Sequence, residues 1–144
     1  MSERLLNMLG LMRRANAVAI GETNAGAACR AGKAKILVLA RDASDNALGR
    51  AKGFVHGRSV VMTRLPFSKV EISSHVGVNG CSMAAITDIG FANAFAKSLA
   101  QEYGEEYSPV AEELAGRFEK AERRKSEAAA HQRNKRNGKR RTDV

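Results

Sequence analysis

At 144 residues the chain is long enough to bury one core without disulfides or metal, with room for a tail. Its 24 Lys and Arg against 15 Asp and Glu leave a net charge of +9, and the isoelectric point near 10.1 points to nucleic acid or another polyanion as partner, the alternative being charge that serves solubility alone. Cys29 and Cys81 stand apart from each other and from any histidine, which reads as two small buried residues in a reducing compartment and not as a disulfide or zinc framework. The amphipathic, charged opening and the lack of any long apolar run predict a cytoplasmic protein with no signal peptide and no membrane partner.

Leu5, Met8, Leu9 and Met12 recur at helical spacing after Ser2, a good N-cap, so a first helix is predicted to about Ala15. Arg13 and Arg14 stand at its C-terminal end, where they suit the helix dipole and lie close to the turn at Gly21. Val18 to Ile20 reads as a short strand feeding that turn. From Gly21 the chain predicts a short second helix stopped at Gly32, with small residues between them for a close approach to a sheet. Its start is an exposed cluster of backbone N–H groups that suits phosphate or the acceptor edges of bases. Ile36 to Ala40 is a continuous apolar run, the pattern of a strand covered on both faces.

Asp42 and Ser44 are both credible caps for a third helix reaching about Val55, and Gly57 releases the chain into a strand at Ser59 to Met62. Pro66 and Ser68 open a fourth helix with Val70 and Ile72 facing inward, ending at Gly77. Met83 to Ile86 is the last buried strand. Asp88 then caps a helix whose core face is Phe91, Ala92, Phe95, Ala96 and Leu99. Strict alternation of helix and strand predicts an α/β fold, a three-layer α-β-α sandwich around a small mixed sheet, over residues 1–102.

Composition changes after Glu102, and residues 103–144 read as a charged helical extension and a basic tail. Ser108-Pro109 supplies a cap and first helical residue. Val110, Leu114, Phe118 and Ala121 make a narrow stripe, and Glu113 with Arg117 and Glu119 with Arg123 are pairs four apart. Six of the nine residues from Arg133 to Arg141 are basic, which predicts a tail disordered when free.

The residues offer little for catalysis. His56, His75 and His131 have no Cys, Asp or Glu partner at a meaningful spacing and read as helix-end or surface residues. No Lys-Ser/Thr follows Gly26, so a phosphate-binding loop is excluded. Asp42, Asp45 and Asp88 read as helix caps, so no metal site, cofactor or catalytic residue is predicted. Few aromatics and no Trp disfavour a platform that stacks single-stranded bases, leaving folded RNA, met by helix ends and loops, as the better nucleic-acid partner.

Ile20-Gly21-Glu22-Thr23-Asn24, then Arg30 to Lys35 with its apolar strand and Ala40 to Ser44, resembles the kink-turn-binding ribosomal-protein family, the L-seven-Ae and L-thirty-e group. The opening Arg4-Leu5-Leu6 to Arg13-Arg14-Ala15 and the closing Ile86 to Ala92 resemble its bacterial YlxQ-like branch. The resemblance covers about residues 1–102. It implies binding of a kinked internal RNA loop, ribosomal or regulatory, with the ribosome as one setting, through the start of the second helix and the loop before the last strand. Sheared G·A pairs in such a loop present guanine O6 and N7 to positioned donors.

On the family's motif Gly21 matches, Thr23 falls at the Asn position, Asn24 at the Glu position, and Ala27 where the family has lysine. Lys69 matches a lysine before the fourth helix, and Val76-Gly77-Val78-Asn79 matches the loop that packs on the kink. The RNA-binding residues expected on this basis are Arg13, Arg14, Gly21, Glu22, Thr23, Asn24, Lys33, Lys35, Lys69, Gly77, Val78 and Asn79. A second function class stays open, a protein-interaction module of the same fold whose sixth helix docks on a partner through Val110, Leu114 and Phe118.

Overall fold

A computed structural model describes residues 2–142, with side-chain surroundings described for 3–135. In chain order its elements are α1 (Ser2–Arg14), β1 (Val18–Ile20), α2 (Glu22–Arg30), β2 (Ile36–Leu39), α3 (Asp45–Val55), β3 (Val61–Arg64), α4 (Lys69–Val76), β4 (Met83–Ile86), α5 (Ile89–Tyr103), a 3-10 turn (Glu105–Tyr107) and α6 (Ser108–Thr142). The strands form one sheet in the order β1-β4-β2-β3. β2 and β3 run parallel, while β4 is antiparallel to both β1 and β2, so the sheet is mixed.

Alternation along the two central strands divides the interior in two. Ile36, Val38, Ala84 and Ile86 join the larger core with residues of α1, α4, α5 and α6, among them Leu5, Leu9, Ile72, Phe95 and Leu114. Leu37, Leu39, Met83 and Ala85 point the other way, into a thinner core with Ala25, Cys29, Ala47 and Ala51 of α2 and α3. Every residue of β2 and β4 is buried. The predicted three-layer α-β-α sandwich is the observed architecture.

Local chemistry explains most boundaries. Ser44 caps α3 by accepting from the Ala47 N–H at 3.1 Å, Ser68 and Glu71 close a reciprocal capping box on α4, and Asp88 accepts from the Phe91 N–H at 2.9 Å to start α5. Gly77 ends α4 at φ 72°. Asp42, one of the two caps considered for α3, instead accepts from the Lys69 N–H at 2.8 Å and so holds the first residue of α4.

Three expectations are corrected. β3 begins two residues later than its apolar run suggests, because the parallel register set by β2 opposes Ile36 to Val61 and Leu39 to Arg64. Val70 is 77% exposed: Ile72 and Val76, four apart, form the buried face of α4, and a residue two positions before Ile72 lies on the other side of the helix. The helix α6 continues to Thr142 where a disordered tail was expected from Arg133. Its Ala-, Glu-, Lys- and Arg-rich run is strongly helix-forming, and a helix nucleated on the packed turns after Ser108 propagates readily. The side chains of Arg136, Lys139, Arg140 and Arg141 lie outside the described residues.

The stripe on α6 packs into the fold. Leu114 is fully buried and Tyr107 nearly so, both in the larger core, and the Tyr107 hydroxyl donates to the Arg64 carbonyl at 2.8 Å. Four aligned apolar positions suffice because α5 supplies the complementary face. Of the two ion pairs expected on α6, Glu113–Arg117 forms at 2.9 Å; the other recorded on this helix joins Glu122 and Lys125, at 3.8 Å.

Candidate functional site

The sheet edge at β1 borders an open groove of about 600 Å³. Gly21 directly follows Ile20, the last β1 residue that lines it. The φ of 89° and ψ of 162° at Gly21 belong to a region that only glycine occupies without strain. This conformation lets the Gly21 N–H donate to the Met83 carbonyl at 3.0 Å, continuing the sheet, while the next residue already begins α2. No side chain caps α2, so its first N–H groups stay open. Gly21→Ala is expected to cost about 1–3 kcal/mol, read as a lower midpoint in chemical denaturation.

The ladder to β4 orients the edge. Bonds from Gly21 N to Met83 O and from Thr87 N to Ala17 O at 2.9 Å bracket an antiparallel pair in which Ala19 faces β4. The alternation of such a pair turns the N–H and C=O groups of Val18 and Ile20 outward, along the groove. The Ile20 carbonyl accepts from Asn24 Nδ2 at 2.9 Å, which fixes the amide on the groove wall with its second N–H and its Oδ1 open.

Arg13 closes the opposite wall by donating to the Val76 carbonyl, 63 positions away in sequence, so the end of α1 holds the loop that starts at Gly77. Val78 of that loop, half-buried, lines the groove beside Arg13, and Lys33 lines its lower end together with Thr87 and Ala28. Among the described residues no carboxylate lines it. The surface thus offers fixed donors and positive charge next to small apolar patches.

Of the residues expected from sequence, Arg13, Asn24, Lys33 and Val78 meet in this groove, and Gly77 lies against the Arg13 guanidinium; Gly21 does not line it but follows Ile20, which does. Thr23 and Asn79 are exposed nearby in sequence but do not line it, nor does Arg14. Glu22 is drawn away, because its carboxylate pairs with Arg50 of α3. Lys69 sits at the first residue of α4, the far end of that helix from Gly77 and roughly 12 Å away at about 1.5 Å per residue. Lys35 lines a different groove. Sequence reasoning missed Asn16 and Thr87. Asn16 adopts φ 57°, and the one available signal was the tolerance of Asn for left-handed backbone.

The remaining titratable candidates lie outside the groove. Both cysteines are free and buried. Burial pushes the Cys29 thiol up, partly offset by Arg58 and Arg30, and burial also raises Cys81, partly offset by backbone hydrogen bonds, so both stay protonated and unreactive near neutrality. His56 is the C-cap of α3, His75 lies in the last turn of α4 with Nδ1 at 3.0 Å from the Glu71 carbonyl oxygen, and His131 is exposed on α6. Among the described residues no helix is long and apolar enough to cross a membrane.

No family model matches the sequence, and no curated protein does. Solved structures do match in shape. A Bacillus halodurans protein of unknown function has a TM-score of 0.59 at 19% identity, over 65% of this chain and 93% of that one. A Giardia lamblia 15.5kD RNA binding protein has a TM-score of 0.53 at 19% identity, over 82% of this chain and 87% of its own. At such identity the property shared with these two structures is the fold, which in this chain is a four-stranded mixed sheet between helices.

Proposed function

We propose that this protein binds structured RNA at the β1 groove, without catalysis, by recognising a kinked internal loop in a ribosomal or regulatory RNA of the cytoplasm. The observation that carries the reading is the convergence of Arg13, Asn24, Lys33 and Val78 on one open sheet edge that no carboxylate lines among the described residues. Each has a part to play there. The free Asn24 N–H and the open N–H groups of α2 suit guanine O6 and N7. Lys33 and the remaining Arg13 N–H groups suit phosphate, and Val78 offers an apolar cover for an extruded nucleotide. The shape shared with an RNA binding protein supports the same reading.

The protein-docking alternative is weakened by the fate of its stripe: Leu114 is buried within the fold, and Val110 and Phe118 are half-buried. The deciding experiment compares an RNA containing sheared G·A pairs with one in which they are replaced by Watson–Crick pairs. Asn24→Ala should weaken binding of the intact loop by about 1–3 kcal/mol and leave binding of the altered RNA unchanged. Equal affinity of the wild-type chain for both RNAs would defeat the kinked-loop reading.

A further inference from the structure

A second groove, of about 520 Å³, opens between the C-terminal end of α2, the chain entering β3, and α6. Six cationic side chains line it, Arg30, Lys35, Arg58, Arg117, Lys120 and Arg124, and among the described residues no acidic one does. Three are fixed. Arg117 pairs with Glu113 at 2.9 Å and donates to the Ser59 carbonyl, Arg58 donates to the Phe54 carbonyl at 3.2 Å, and the Arg30 guanidinium lies 5.9 Å from the centre of the Phe54 ring. Lys35, Lys120 and Arg124 form no ion pair among the described residues.

This groove and the β1 groove are neighbours. Ala28 lines one and Cys29 the other; the same holds for Lys33 and Lys35, and for Thr87 and Ile89. Only the α2–β2 connection and the turn after β4 divide them. Both therefore open at the end of the sheet where β2 begins and β4 ends.

We propose that the second groove holds the phosphate backbone of an RNA duplex, the arm that continues from a loop bound at β1. The inference rests on the RNA reading of the β1 groove and extends it to a partner geometry. Chemistry favours backbone over bases: the apolar lining consists of aliphatic side chains such as Ala34, Val60 and Ala121, and no aromatic lines it to stack a base. It favours a polyanionic rod over a protein for the same reason, since an interface core needs large buried anchors that this lining lacks. Duplex RNA is recognised largely through shape and phosphate contacts, and cations spread from α2 across to α6 match such a target.

The test uses the full chain and a plain RNA duplex without an internal loop, titrated from about 50 to 200 mM salt. Lys120→Gln with Arg124→Gln should lower the log-log salt slope by about two, one counterion-release increment per contact, with loss of affinity at every salt concentration. Both residues are exposed on a helix and Gln is a good helix former, so the unfolding midpoint should not move. An unchanged slope in the Gln variant, or failure of the wild-type chain to bind the duplex, overturns the proposal; so does a loss confined to binding of poly-glutamate, which would assign the groove to an acidic protein. Equal affinity for intact and G·A-replaced loops defeats the kinked-loop reading alone and leaves the slope result standing.

Discussion

Leu114→Ala is expected to destabilise the protein by about 2–5 kcal/mol, the range for deleting a fully buried leucine. Leu114 is 0% exposed and belongs to the core that includes Leu99 and Phe95 of α5. The lost contribution is the transfer of the removed methyl groups plus a cavity that a packed sandwich collapses only in part. Against a total stability of about 5–15 kcal/mol this is a large fraction. Urea denaturation should show a lower midpoint with an unchanged slope. Were residues 103–144 a mere appendage, the midpoint would not move. The same packing bears on a chain ended at residue 102: it keeps the whole sheet and five helices, but it loses Tyr107 and Leu114 from the core, so reduced stability is expected of it.

Removing residues 133–144 should flatten the salt dependence of RNA binding, with discrimination between intact and altered loops retained. Six basic residues from Arg133 to Arg141 fall in that segment. Each phosphate contact contributes about 0.7–0.9 to the log-log slope, so even half of them engaging would change affinity by more than tenfold between about 50 and 200 mM salt. Phosphate contacts position an RNA without reading its sequence, and the donors suited to base edges lie in the β1 groove. An unchanged slope in the shortened chain would show that these charges serve solubility, and lost discrimination would move base reading to the end of the chain.

How much of this was legible in the sequence depended on how local the physics was. Ser44, Ser68 and Asp88 announce helix starts because a cap bonds within three residues of itself, and the buried runs at Ile36 and Met83 announce central strands because both of their faces are covered. The start of β3 was not legible, since its register is imposed by β2 and not by its own apolar run. Asp42 read as a cap for the nearest helix, yet its partner is 27 positions on. The site divides in the same way. Gly21 and Asn24 could be found from the turn they make, whereas the link from Arg13 to Val76 arises only when α1 and α4 pack. Nothing local separates Lys33 from Lys35, although they enter different grooves. Arg58 and Lys120, far apart in the chain, meet only in three dimensions.

The unequal thickness of the two cores bears on how the molecule breathes. The layer of α2 and α3 is held mainly by alanines, with Cys29, and with Gly26 set so closely under Phe54 that a methyl group there would lie 2.7 Å from the ring. The opposite layer buries Leu5, Leu9, Met12, Phe67, Phe95 and Leu99. Less apolar area per helix means a lower free energy of local opening, so amide protons of α2 should exchange with deuterium sooner than those of α5. The more labile layer is also the one that carries Asn24. An RNA bound there would be linked to the closing of that layer, and slower amide exchange across α2 and α3 on adding RNA would report occupancy directly.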